Sequence, residues 1–295
     1  MVVNYMKKNQ RKSLLYYVII AYGITWLFWI TATLMGYEEI SFSKLFYWDF
    51  NNSKQKTLFF IFRIGIYGPL IASLAVTFWR FKLDGLKNLW SRITKWKVHI
   101  KWYLFLFLIP IVINLFAVFA GIITGLSFND FFQSEIPWSL FLIYFFYQIV
   151  TSGMEEPGWR GFALDNLQSK YTAEKASWIL GLIWAIWHYP LLISLYHNQA
   201  IISILFSLAG FTMVMIGQTI IYTWLYNNSK SVFITILHHA WGNTATAYIL
   251  GTVATHNPII GLLTGIFTWG IALLLLRIFG GKTLTKDEVI SIDFT

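Results

Sequence analysis

Long apolar runs separated by short polar or charged stretches repeat along the chain. They cover Leu14 to Gly36, Thr57 to Trp79, Trp102 to about Leu126, Trp138 to Glu155, Ala176 to Tyr196, Ile201 to Tyr226, Val232 to Leu250 and Ile259 to Phe279. Each is close to the roughly 20 residues a helix needs to cross a bilayer. Hydrocarbon offers no partner to a free peptide group, so runs of this length predict helices. The expectation is an all-α, polytopic membrane bundle of about eight spans, forming one integral domain over 1–295. The first run exceeds the roughly 7–15 residues of a cleavable signal core and reads as a retained span. Gly68-Pro69 inside the second run predicts a kink whose freed backbone groups are satisfied by neighbouring helices.

Composition agrees with the pattern and narrows the function classes. The chain is 57% hydrophobic and 12% charged, far from a soluble domain. It has no cysteine, which excludes a disulfide framework, a thiol nucleophile and a zinc site built on Cys. The net charge of +9 does not point to nucleic acid, because the Lys and Arg residues cluster between apolar runs. Lys7, Lys8, Arg11 and Lys12 precede the first run, and seven basic residues lie between Arg80 and Lys101. The loop 127–137 carries Asp130 and Glu135 and no basic residue. On the positive-inside rule, both termini are expected in the cytoplasm and that loop outside.

Within 80–101 the basic residues alternate with Leu83, Leu86, Leu89, Trp90, Ile93 and Trp96, which predicts an amphipathic helix lying on the cytoplasmic leaflet. Arg63, near the start of the second run, is expected to snorkel to the interface or to pair with a carboxylate of the bundle. The two halves show no internal repeat, which speaks against a proton-coupled transporter. A composition rich in Lys, Ile, Asn and Tyr suggests the plasma membrane of a bacterium.

Ionisable residues at membrane depth are costly and so carry function. The fourth run ends in Glu155-Glu156-Pro157-Gly158-Trp159-Arg160-Gly161. Pro157 lacks a backbone donor and biases Glu156 away from helical dihedrals, so a break is expected there. Arg160 stands four residues beyond Glu156, the spacing of a same-face ion pair, which leaves Glu155 free to act as a general base. The fifth run carries Trp184 and His188, and the seventh carries His239 and Asn243 one turn apart on one face. His238 points about 100° away and reads as structural. Gly242 lets a backbone or a substrate approach. His197 and His256 read as solvated surface residues.

These residues resemble the CPBP family of CAAX proteases and bacteriocin-processing enzymes, also called Abi proteins. Its motifs are matched in order by Glu155, Glu156 and Arg160, by Trp184 and His188, and by His239 and Asn243. The likeness covers about 138–250, taken as the protease core; it departs at Trp184, where the family most often has phenylalanine and where an aromatic wall is kept. Membership implies an intramembrane endopeptidase that cuts a peptide or membrane-anchored protein near the cytoplasmic face. Glu155, helped by His188, would activate a water, while His239 and Asn243 would polarise the scissile carbonyl and hold the oxyanion. No cofactor is expected, although a zinc site built from Glu155, His188 and His239 is the alternative. The family's roles include pheromone maturation and bacteriocin self-protection, and the second class to weigh is a non-enzymatic immunity or adaptor protein of the same fold.

Overall fold

The computed structural model describes residues 2–37, 42–251 and 257–286, and every regular element among them is helical. In chain order these are α1 (Val2–Leu34), α2 (Phe42–Phe46), α3 (Ser53–Gly65), α4 (Gly68–Ile93), α5 (Ile100–Ile123) and α6 (Phe141–Val150). A 3₁₀ turn (Ser152–Glu155), α7 (Glu156–Gly158), a π turn (Trp159–Ala163) and α8 (Leu164–Gln168) follow almost without interruption. The chain continues through α9 (Ala173–Trp187), α10 (Tyr189–Tyr196), α11 (Ile201–Ser229), α12 (Val232–Ile249) and α13 (Pro258–Phe279).

This is the expected all-α membrane bundle, but the span count differs. Among the described residues, Lys12–Leu34 of α1, α5, α11 and Ile259–Phe279 of α13 are long and apolar enough to cross a membrane. The pairs α3–α4 and α9–α10 each make a further span if counted together, bent by 43° and 45°. That gives four to six spans by length and apolarity, where eight were expected. The two runs that fall away are α6, only 10 residues long, and α12, which carries His238, His239 and Asn243. Helices that present polar groups to one another inside a bundle cannot also be uniformly apolar.

The kink at Gly68-Pro69 occurs as expected, between α3 and α4. A β-carbon on Gly68 would lie 2.2 Å from Thr25 Oγ1 and 2.5 Å from the Ala21 carbonyl, so the bare glycine lets α4 lie directly against α1. The surface helix differs from expectation. Helix α4 bends at Lys82 (φ 54, ψ −146), and the helical part of the basic stretch ends at Ile93 rather than near Lys101. Thr94 to His99 is non-helical, and α5 starts at Ile100 with His99 as its cap.

The principal core brings α1, α3, α4, α9, α11 and the π turn together through Tyr17, Trp29, Phe62, Val76, Trp159, Trp184, Trp187 and Tyr222. Buried indoles need partners for their N–H groups. Trp187 Nε1 donates to Thr25 Oγ1 at 2.8 Å, and Trp26 Nε1 to the Trp187 carbonyl at 3.0 Å, tying α1 to the bend between α9 and α10. Trp241 Nε1 and His238 Nδ1 donate to the Phe107 and Leu106 carbonyls at 2.9 and 3.0 Å, tying α12 to α5. His238 thus has the structural role read from its position.

Candidate active site

The site is built on the broken helix between α6 and α8. The break comes at Thr151 (φ −107, ψ −95), ahead of Pro157 where it was expected. Glu156 stays helical (φ −64, ψ −34) despite preceding proline. Pro157 sits in the first turn of α7, where no backbone donor is required, so it opens a helix instead of ending one. A β-carbon on Gly158 would stand 2.5 Å from the Pro69 carbonyl and 2.6 Å from the Tyr17 hydroxyl. Close packing on α4 and α1 therefore holds the turn and overrides the local bias at Glu156. Single π turns of this kind recur at functional sites because they re-aim side chains.

The adjacent carboxylates meet different surroundings. Glu156 is 0% exposed and accepts from Arg160 Nη1 with both oxygens, each at 3.0 Å. His239 Nδ1 lies 2.9 Å from Glu156 Oε1. Arg160, also 0% exposed, sits in the corner made by the Trp184 and Tyr222 rings, which meet edge to face, with its guanidinium carbon 4.3 and 4.1 Å from their centroids. The ion pair through Nη1 and the two aromatic rings offset part of the cost of burying the charge. The same-face pair Glu156–Arg160 expected from the spacing is present.

Glu155 instead reaches a cavity of about 710 Å³. Its Oε2 accepts from Trp184 Nε1 at 2.9 Å and from Trp159 Nε1 at 3.2 Å. No hydrogen bond engages its Oε1 among the described residues. Trp184 is therefore a hydrogen-bond donor to the acid as well as a wall.

His188, His239 and Asn243 line the same cavity as Glu155. His188 occupies the bend between α9 and α10. Its Nδ1 lies 2.9 Å from the Trp184 carbonyl; a carbonyl can only accept, so Nδ1 carries the proton and Nε2 presents a lone pair. Asn243 Nδ2 donates to Gln148 Oε1 at 3.1 Å and to Ser152 Oγ at 3.0 Å. Gly242 also borders the cavity, and a β-carbon there would meet no atom within 4 Å, so it leaves space rather than admitting another backbone.

Arg63 borders the cavity with its guanidinium over the Phe59 ring at 4.8 Å, turned toward the bundle. His197 is exposed, as expected, and His256 lies outside the described residues. The structure adds Trp159, Gln148 and Ser152 to the residues expected at the site. Trp159 is four residues after Glu155, a same-face spacing, and Gln148 is a lone amide in an apolar run; both signals were legible. Tyr222, inside a long apolar helix, gives no such signal.

The fit to zinc is poor. Among the described residues no three His, Asp or Glu side chains gather at one point as metal ligands would. Glu155 Oε2 is engaged by two indole donors, and His239 Nδ1 is turned to Glu156.

Arg92, in the last turn of α4, fastens that helix to the π turn. It donates to the Gly161 carbonyl at 2.9 Å and to Tyr226 at 2.7 Å, and it pairs with Asp165. Burial pushes the Asp165 carboxyl above its usual range, and Arg92 draws it partly back. The basic stretch, expected to anchor the chain to lipid, buttresses the π turn through Arg92.

Residues 137–245, which hold Glu155, Arg160, His188, His239 and Asn243, match the model of the Rce1-like family of type II CAAX prenyl endopeptidases. The chain is also 25% identical, over 229 residues, to the "CAAX prenyl protease 2" of Methanococcus maripaludis, covering 76% of this chain and 80% of that protein. Both comparisons place the chain's likeness with CAAX proteases. This Rce1-like protein is accordingly a hydrolase, an intramembrane endopeptidase acting on a peptide or protein substrate in a membrane. The matched region supplies the polar residues Gln148, Glu155, His188, His239 and Asn243 of the cavity, while α1, α3, α5 and α13 add to its walls from outside that region.

Proposed function

We propose that this Rce1-like protease hydrolyses its substrate with a water activated by Glu155, without a metal, at the cytoplasmic side of a bacterial plasma membrane. The observation that carries the reading is the contrast between the carboxylates: Glu156 is consumed by Arg160 and His239, whereas Glu155 faces the cavity with one oxygen held and the other unengaged among the described residues. Glu155 Oε1 takes a proton as the water oxygen bonds to the scissile carbonyl carbon. His188 Nε2, fixed by its bond to the Trp184 carbonyl, helps to orient that water. His239, steadied by Glu156, and Asn243 hold the oxygen on which negative charge develops. The C–N bond then breaks, and the proton held by Glu155 passes to the leaving amine.

The curated relative is named a CAAX prenyl protease, so the substrate class proposed is a chain ending in a prenylated Cys-a-a-X sequence. The cavity's mostly aromatic and aliphatic lining suits such a chain. Purified protein in nanodiscs is expected to cleave a fluorogenic farnesylated peptide ending in that sequence, and Glu155→Gln to abolish cleavage while leaving the melting temperature near the parent's. A folded Glu155→Gln protein with parental turnover would remove Glu155 from the role of base.

A further inference from the structure

Gln148, Ser152 and Asn243 close a ring of hydrogen bonds at the cavity wall. Asn243 Nδ2 spends one hydrogen on Gln148 Oε1 at 3.1 Å and the other on Ser152 Oγ at 3.0 Å. Ser152 Oγ donates in turn to Gln148 Oε1 at 2.6 Å. All three residues line the cavity, and Asn243 is exposed to it. In this arrangement both Asn243 donors point away from any substrate, and the atom left over is Oδ1, which can only accept. An acceptor repels a developing oxyanion.

The ring has a second arrangement of the same size. If both carboxamides turn over, Gln148 Nε2 donates to Asn243 Oδ1 and the Ser152 hydroxyl swings to donate to that same oxygen. Asn243 Nδ2 then takes the outer position with its donors free. Contacts among the three residues are conserved in kind, and Tyr144, whose hydroxyl also bonds the Gln148 side chain, can donate to or accept from either end of it, so a bound carbonyl can select the donor form. The break at Thr151 makes this possible: the 3₁₀ turn that follows sets Ser152 beside Gln148, four residues earlier, on the side that faces α12.

We infer that Gln148 and Ser152 are positioning residues that set which end of the Asn243 carboxamide meets the scissile carbonyl. The inference rests on the reading of Asn243 as an oxyanion donor. The test uses the full chain in nanodiscs and a farnesylated fluorogenic peptide, with kcat, KM and melting temperature measured for Ser152→Ala, Ser152→Thr, Gln148→Met and Asn243→Asp. Ser152→Ala and Gln148→Met are expected to lower kcat about tenfold, a fraction of the loss caused by removing an oxyanion donor outright. KM should stay within about threefold and melting near the parent, because the group acts in the transition state. Ser152→Thr, which keeps the hydroxyl, should recover most of kcat. Affinity for a phosphinate peptide that mimics the tetrahedral intermediate should fall in parallel with kcat. Parental kcat and phosphinate affinity in both Ser152→Ala and Gln148→Met, beside an inactive Asn243→Asp, would overturn the inference and leave the wider reading standing. A fully active Asn243→Asp would remove both. If Gln148→Met does not fold, the Ser152→Ala and Ser152→Thr pair decides alone.

Discussion

At the scale of single residues, the acid is defined by what holds it. Two indole N–H groups converge on Glu155 Oε2, and hydrogen bonds to a charged acceptor contribute roughly 1.5–3 kcal/mol each. Trp184→Phe removes one donor and keeps a ring over Arg160. We expect kcat to fall about tenfold or more, in line with that energy, with the protein still folded. Nuclear magnetic resonance of indole N–H groups checks the contact directly: the Trp159 and Trp184 signals should move in Glu155→Gln, and most other tryptophan signals should not. Arg160→Met is harsher, since it strips the arginine from a wholly buried Glu156. Loss of one partner of a buried pair costs about 3–5 kcal/mol, so little folded protein should be recovered on size exclusion.

At the scale of elements, the broken helix is stable because other elements hold it from both sides. Gly158→Ala would push a methyl group against the Pro69 carbonyl, 2.5 Å away, and a backbone atom cannot yield as a side chain can. A loss of about 1–3 kcal/mol is expected, read as a lowered melting temperature. Arg92→Ala removes the guanidinium that pairs with Asp165 and that donates to the Gly161 carbonyl. Melting should drop and turnover fall, with both partly recovered by Arg92→Lys, which restores charge but not the forked geometry. These contacts also explain where expectation and structure part. The run at 138–155 reads as an apolar span, and the i, i+4 spacing of Glu156 and Arg160 survives in the structure. The break at Thr151 does not follow from Thr151 itself; it follows from the fit of the next turn against α4 and α12. Pro157 looks like a helix breaker in isolation and becomes a helix opener because Gly158 packs on Pro69.

At the scale of the molecule, the orientation and the metal question are open to direct test. The chain has no cysteine, so single introduced thiols report sidedness without background. Lys87→Cys is expected to react with a membrane-impermeant maleimide only from the cytoplasmic side, and Ser134→Cys only from the outside. Chelators should leave cleavage unchanged after dialysis, whereas a zinc enzyme would lose it and regain it on adding zinc.

The sequence by itself determined the class of fold and which residues bear charge or hydrogen-bonding groups at membrane depth. Both are local consequences of a bilayer that rejects polar groups, so they show in the length of an apolar run and in each exception to it. Only the tertiary structure decided the partners. His239 meets Glu156, Trp184 lends a donor to Glu155, Gln148 and Ser152 take up the Asn243 amide, and Arg92 braces the π turn from outside. Each contact joins helices far apart along the chain. Their distance and angle are set by how glycines and aromatic rings pack, a property of the assembled bundle that no single segment contains.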